Sequence, residues 1–476
     1  QENISFNGKN IVVTSTYHIV QDSLIIGSTI IGGNNNGSVV LFAEGETNSS
    51  VLQGFTLQGG SGNYSDPDEN GTFYTYGGGV YCKGSSPVLK DLVITKGWPT
   101  LGGSRTVNQQ QDWNEDAPCV ERLKENGAIL IGKTTTPELG HKGVTDSLLQ
   151  GVTRNPWNLK KTPGGSSGGA SAAVASGMGQ LAIGTDAGGS IRIPAGFTGI
   201  YGLKPSFGRV PTYPASPFGT LAHAGPMTRT VTDAALMLDV ISMPDPRDWR
   251  SLPPKNSDYR NSLDPDMNGK KIAFCPDLGL NIKINSEVAN CLSNAADCFQ
   301  SLGASVDTPE IDWPADPREL IAIYFTSGAA LMASMLTSAQ RDLLEPTLMD
   351  MVEHGEKLSM LSVKAAESDR VANGIYMKKF FEAYDFLICP TLPIVAFDAG
   401  HPNPPEYKDD TIGWTPLTGP FNLTGQPAAS IPCGFDGGGL PIGLQIIGSM
   451  YDDAGVLSCS LAFENACTFL DRKPPL

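Results

Sequence analysis

Two Gly/Ser turns hold the residues best suited to chemistry in this 476-residue chain. One is Gly164-Gly165-Ser166-Ser167-Gly168-Gly169 and the other is Asp186-Ala187-Gly188-Gly189-Ser190-Ile191-Arg192. Glycine permits sharp backbone turns and lets several main-chain N–H groups face a common point. Such a nest can stabilise an oxyanion while a nearby serine attacks a carbonyl. A serine hydroxyl is a poor nucleophile until a base takes its proton, so a base must be supplied as well. A small-residue helix and a short apolar strand join the two turns and must position them. On local composition alone, Gly/Ser loops that merely cap a helix account for the residues equally well.

Further motifs settle the comparison. Thr153-Arg154-Asn155-Pro156-Trp157-Asn158 precedes the turns, and Gly202-Leu203-Lys204-Pro205-Ser206 and Gly225-Pro226-Met227-Thr228-Arg229 follow them. Pro390-Thr391-Leu392-Pro393, Phe421-Asn422-Leu423-Thr424-Gly425-Gln426-Pro427-Ala428 and Gly439-Leu440-Pro441-Ile442-Gly443-Leu444-Gln445 come near the C-terminus. In kind and order these resemble the amidase signature family, over residues 87–476, close to its broad-specificity amidases and urethane hydrolases. The resemblance implies an α/β fold with a mixed β-sheet core flanked by helices. It implies Ser190 as nucleophile and Ser166, 24 residues earlier, as a bridging serine after a cis peptide bond. It also implies an oxyanion hole from the N–H groups of Ala187, Gly188, Gly189 and Ser190, with Ser167, Asp186 and Arg192 in support.

The family's base is a lysine that ends a short apolar strand and precedes Asp. Pro87-Val88-Leu89-Lys90-Asp91 has that form, 76 residues before Ser166, and the resemblance assigns Lys90. A competing lysine is excluded by its context. Gly127-Ala128-Ile129-Leu130-Ile131-Gly132-Lys133-Thr134 matches the phosphate-loop pattern letter for letter. A phosphate loop needs a pliable turn with N–H groups facing the ligand, whereas this apolar run suits a buried strand.

Residues 1–86 read as a different kind of protein. Lys9 and Lys83 are their only Lys or Arg and Ala43 their only alanine, and Met and Trp are absent. Short β-branched runs alternate with Asn/Gly turns such as Gly33-Asn34-Asn35-Asn36-Gly37, which is strand-and-turn chemistry. Residues 50–59 echo residues 87–97, and repeated strands suggest stacked rungs. This atypical β-rich segment resembles a right-handed parallel β-helix of secreted type. Residues 85–97 satisfy both patterns, so the changeover falls beside Lys90. Natural recombination, fusion and joined fragments all produce such a junction.

Composition narrows the function classes. The formal charge of −16 argues against a nucleic-acid partner, and no apolar run is long enough to span a bilayer. No signal peptide is read, and an upstream portion is expected because the chain opens on Gln1. Nine scattered cysteines without a C-x-x-C pair argue against zinc and favour a reducing, cytoplasmic setting. The five histidines form no metal motif, so no metal or other cofactor is expected. Expected partners are small amides, esters or carbamates, with a homodimer allowed.

Rival readings follow from the same residues. Gly165-Ser166-Ser167-Gly168-Gly169 satisfies the G-x-S-x-G elbow of α/β-hydrolases, but Leu159-Lys160-Lys161-Thr162-Pro163 is not the strand that elbow needs. A glutaminase component of a tRNA-dependent amidation complex belongs to the same family. A dead amidase remnant on a structural β-helix is the non-enzymatic alternative. Helices over 232–238 and 285–302 and a strand near 269–274 fit the α/β expectation. Residues 207–217 are expected as a loop at the pocket mouth. Residues 310–365, with Trp313, Tyr324, Phe325, Met332 and Met335, are candidate pocket wall, although such stripes more often form core.

Overall fold

The structure, a computed structural model, describes residues 87–254, 258–407, 413–467 and 472–475, with seven short strands before Pro87. Backbone contacts divide the chain into two compact units, residues 1–86 with 127–129, and residues 87–126 with 130–476. In the first, every described pairing is parallel. Val40–Phe42 lies between Ile4–Ser5 and Val80–Cys82, Val12–Thr14 pairs with Val51–Gln53, and Ile30–Gly32 pairs with Thr56–Gln58.

The second unit is built on a ten-stranded mixed sheet. Its strands are β1 (Pro87–Lys90), β2 (Gly132–Thr134), β3 (Leu181–Asp186), β4 (Tyr201–Lys204) and β5 (His223–Thr228). They continue with β6 (Lys271–Phe274), β7 (Ser305–Asp307), β8 (Phe386–Pro390), β9 (Ala428–Phe435) and β10 (Pro441–Gly448). The order across the sheet is β7-β6-β8-β10-β9-β4-β5-β3-β1-β2. Strands β1, β4, β5, β8 and β10 are buried along their whole length, as expected where helices cover both faces.

One register decides the site. Strands β1 and β3 are parallel, with Leu89 opposite Ile183. The residues that follow, Lys90 and Thr185–Asp186, therefore finish side by side at the carboxyl ends, where open α/β sheets place their sites. The helix Gly168–Ala175 packs here through Ala170, Ala173 and Val174 against Val88, Ala182, Ile191 and Met227. Its glycines and alanines allow the close approach. Leu89, fully buried, would cost about 2–5 kcal/mol if cut to Ala.

The helix Val231–Ile241 starts at Thr230, whose hydroxyl accepts from Asp233 N–H. Ser286–Ser301 starts at Asn285, whose side chain accepts from Glu287 N–H. Both caps satisfy N–H groups that the first turn leaves open. Pro317–Ser334 packs on Pro346–Glu356 through Phe325, Ala329, Leu348 and Val352.

One expectation needs correction and one is narrowed. The apolar run 128–131 is not a buried strand: β2 begins only at Gly132, and Ile131 is 45% exposed. Local hydrophobicity was outweighed by pairing, since Val88 of β1 takes Gly132 as its partner. Trp313, named as candidate pocket wall, lines neither of the cavities that Ser190 lines, and the core reading of that stripe holds for it. It packs with Leu278 and Tyr376 in the core around β6 and β8, and its indole N–H donates to Leu278 O at 2.9 Å.

Candidate active site

Lys90 leaves the end of β1 wholly buried. Its Nζ donates to Ser166 Oγ at 2.6 Å and to Thr185 Oγ1 at 2.8 Å. Burial brings its pKa down to about 7, against the charge of Asp186, which raises it. Burial penalises the ammonium, so a neutral amine able to accept a proton is populated near neutral pH.

Ser166 follows a cis Gly165–Ser166 peptide bond and is also buried. Glycine is needed at 165, because a Cβ there would sit 2.6 Å from the Val144 carbonyl. Ser167 ties the two turns together. Its N–H donates to Ser190 O at 3.1 Å, its Oγ donates to Thr185 O at 3.1 Å, and Thr185 N–H donates back to that Oγ at 3.3 Å. No strand leads into Ser166, so the hydrolase elbow is absent.

Ser190 is half-buried and lines the cavities that Ser166 and Gly188 face. Its Oγ has no hydrogen bond among the described residues, so the structure does not join Ser190 to Ser166 directly. Catalytic hydrogen bonds commonly tighten only once substrate is bound.

Asp186 and Arg192 brace the Ser190 loop through a pair whose side chains are both fully buried. Arg192 Nε donates to Asp186 Oδ2 at 3.0 Å and Nη2 to Oδ1 at 2.9 Å. Burial pushes the Asp186 carboxyl up, but Arg192, joined by the Lys204 charge and the Asn422 hydrogen bond, holds the carboxyl below its ordinary range. Arg192 reaches further, donating to Thr418 O, Gln445 Oε1 and Asn422 Oδ1 at 2.8, 2.6 and 2.6 Å. Asn422 Nδ2 donates to Asp186 Oδ1 at 2.9 Å, and Thr418 Oγ1 to Gly188 O at 2.6 Å. Sequence reasoning missed Thr185, Thr418, Asn422 and Gln445 as members of this network. The last two stood within motifs already noted, which was the available signal.

One expected oxyanion donor is otherwise engaged. Gly189 N–H donates to Asp186 Oδ1 at 2.7 Å, and Gly189 adopts φ +133°, a conformation that favours glycine. The N–H groups of Ala187, Gly188 and Ser190 take no acceptor among the described residues.

Beside Ser166 lies a cavity of about 490 Å³. Leu92, Val93, Cys119, Met332, Met335 and the loop Pro211–Phe218 line it. Burial raises the Cys119 thiol to about 12. Phe218 stacks on Phe325 at 4.7 Å, and Phe325 lines a second cavity that Ser190 also lines. The loop lines the cavity only from Pro211. Phe207 is held away, its N–H donating to Gly425 O and its ring lying under Arg250. Tyr324 faces another groove, with Arg370 over its ring.

Two other titratable groups nearby, His141 and Lys133, are engaged elsewhere. His141, brought to about 3 by burial and then by the Lys142 charge, bonds Glu138 O and Thr347 Oγ1. Lys133 donates to Val93 O at 2.6 Å and to Thr100 Oγ1, with no phosphate-binding turn around it. Among the described residues, no three His, Cys, Asp or Glu side chains gather to hold a metal ion. No helix there is long and apolar enough to cross a membrane.

Comparison with known proteins identifies the family. A family model described as amidase matches residues 84–457. An acylamidase of Rhodococcus erythropolis is 35% identical, over 81% of this chain and 82% of its own. A glutamyl-tRNA(Gln) amidotransferase subunit of Halothermothrix orenii is 34% identical, over 82% and 86%. The crystal structure of a bacterial aryl acylamidase of the amidase signature family superposes with a TM-score of 0.73 at 33% identity, covering 81% of this chain and 84% of that one. The chain thus belongs to the amidase signature family and is an amide-hydrolysing enzyme.

Proposed function

We propose that this enzyme cleaves the C–N bond of amides through a covalent acyl-enzyme, with Ser190 as nucleophile, Ser166 as bridge and Lys90 as base. The observation that carries this reading is the buried Lys90 amine, 2.6 Å from Ser166 Oγ, beneath a cavity that Ser190 also lines. Ser190 Oγ bonds to the carbonyl carbon while its proton passes through Ser166 to Lys90. The free N–H groups of Ala187, Gly188 and Ser190 receive the developing oxyanion. The proton then returns through Ser166 to the leaving nitrogen as the C–N bond breaks. Water releases the acyl group by the same route, and the balance needs no other reactant.

Aryl amides are the preferred substrates in this reading, with aryl esters and small carbamates (urethanes) as alternatives that present the same carbonyl. The apolar lining beside Ser166 supports it. The eight described cysteines are free thiols, which suits a cytoplasmic enzyme.

The test is turnover of an anilide, a primary amide, a p-nitrophenyl ester and an aryl carbamate, with fluorophosphonate labelling. Ser190→Ala is expected to lose both labelling and turnover, and full activity in that variant overturns the reading. Similarity to an amidotransferase component favours a second reading, a glutaminase that supplies ammonia to a partner. Action on free glutamine alone would establish it.

A further inference from the structure

The space around Ser190 has two arms. Ser190 and Gly140 line both. One is the cavity of about 490 Å³ beside Ser166, Thr185 and Ala187. The other, of about 550 Å³, begins at Gly188 and runs past Ile193, Ile321, Ala322, Phe325 and Thr415. Among the described residues, Ser166 lines only the first.

We propose that the arm beside Ser166 receives the leaving amine and the arm beyond Gly188 the acyl chain, so that the enzyme selects amides of bulky, neutral, apolar amines. This rests on the Lys90–Ser166–Ser190 relay. The tetrahedral carbon formed by Ser190 attack carries four substituents: Ser190 Oγ, the oxyanion, the amine nitrogen and the acyl chain. Expulsion requires the nitrogen to gain the proton held by Lys90, and Ser166 Oγ is the group that delivers it. The nitrogen must therefore come within about 3 Å of Ser166 Oγ, and its substituents must continue into the space that Ser166 faces. The acyl chain is left with the other arm.

The walls agree with this assignment. Tyr213, Pro217, Phe218, Met332 and Met335 present apolar and aromatic surface, and methionine adapts to rings of different shape. Three ionisable side chains of this arm, Asp186, His223 and Cys119, offer nothing to an ammonium. Asp186 is held by Arg192, and His223 is kept neutral by burial and by the nearby Lys204 charge. Cys119 stays a thiol. An amine leaving as a neutral arylamine fits such a wall. Lys283, Arg318 and Glu319 lie along the acyl arm instead, where a polar chain end is tolerated.

The experiment uses two substrate series and two variants. In the amine series the acyl group stays acetyl while the amine grows from ammonia to aniline to naphthylamine. In the acyl series the amine stays aniline while the chain grows from acetyl to hexanoyl. Met332→Trp narrows the arm beside Ser166, and Ala322→Trp narrows the other. Active sites are counted by fluorophosphonate labelling, so loss of folded enzyme is separated from loss of fit, and Met332→Ala gives the opposite change in volume.

Met332→Trp is expected to lower kcat/KM for the naphthylamide relative to acetamide by about ten-fold or more, with the hexanoyl-to-acetyl ratio unmoved. Met332→Ala should raise the first ratio, and Ala322→Trp should change only the acyl ratio. Reversed effects, equal effects on both series or no effect on either overturns the assignment. If Ser190→Ala keeps its turnover, the relay fails and the assignment with it. A dead Ser190→Ala with reversed arms refutes the assignment alone.

Discussion

Behind Ser190 the loop is held by buried charge. Asp186, Arg192, Asn422, Gln445 and Thr418 bond one another and the backbone at 2.6–3.0 Å. In front of it, Leu92, Val93, Met332 and Met335 meet the substrate space through apolar surface alone, and Met335 is 71% exposed. The contrast separates two demands. Stabilising a transition state requires donors fixed before the reaction, and a buried network supplies them only when every member is paired. Choosing among substrates requires shape, which a methionine can change without leaving a buried polar group unpaired. Reactivity and selectivity in this enzyme should therefore respond to different sets of substitutions.

The largest test of that division is Lys90→Ala. Loss of a general base should lower kcat/KM by about 10²–10⁴-fold. In the unsubstituted enzyme, kcat/KM should climb with pH and level off above about 7, because below that value the ammonium form holds the proton it must accept. The variant should lack this limb, and a limb that survives would remove Lys90 from the reaction.

Next is Asp186→Asn. Breaking a buried ion pair costs about 3–5 kcal/mol, measurable by urea denaturation. Asp186 also raises the Lys90 pKa, so its loss should move the activity limb to lower pH. A shift to higher pH would contradict the assigned electrostatics.

A smaller effect is expected for Thr418→Val, which removes the bond to Gly188 O at about 0.5–1.5 kcal/mol. The change should fall on kcat, with KM nearly constant. The smallest is expected from proteolytic trimming before Pro87, since every side chain of the site lies at or after that residue. Activity should survive, and joint loss of activity and of the whole thermal transition would instead make the segment part of the working fold.

Much of what the structure brings together around Ser190 was legible because it is written in short motifs. Glycines beside serines marked both turns, and an apolar strand ending in lysine marked Lys90. Register was not legible: that Leu89 faces Ile183, and so sets Lys90 beside Thr185, depends on strands far apart in the chain. Asn422 and Gln445 lay in visible motifs, yet their bonds to Arg192 span 230 and 253 residues, which no local pattern encodes. The run 128–131 misled because apolar character alone does not tell a paired strand from the segment that leads into one.

Cys119 has a practical meaning for anyone probing this enzyme with electrophiles. It lines the same cavity as Ser190 and is 2% exposed, but burial pushes its pKa up to about 12, so the thiol form dominates at pH 7. Thiolates, not thiols, react with maleimides and iodoacetamide. Such reagents should leave Cys119 intact at neutral pH, so inhibition by them would report modification at another cysteine, and the cavity can be mapped with serine-directed warheads without masking its thiol.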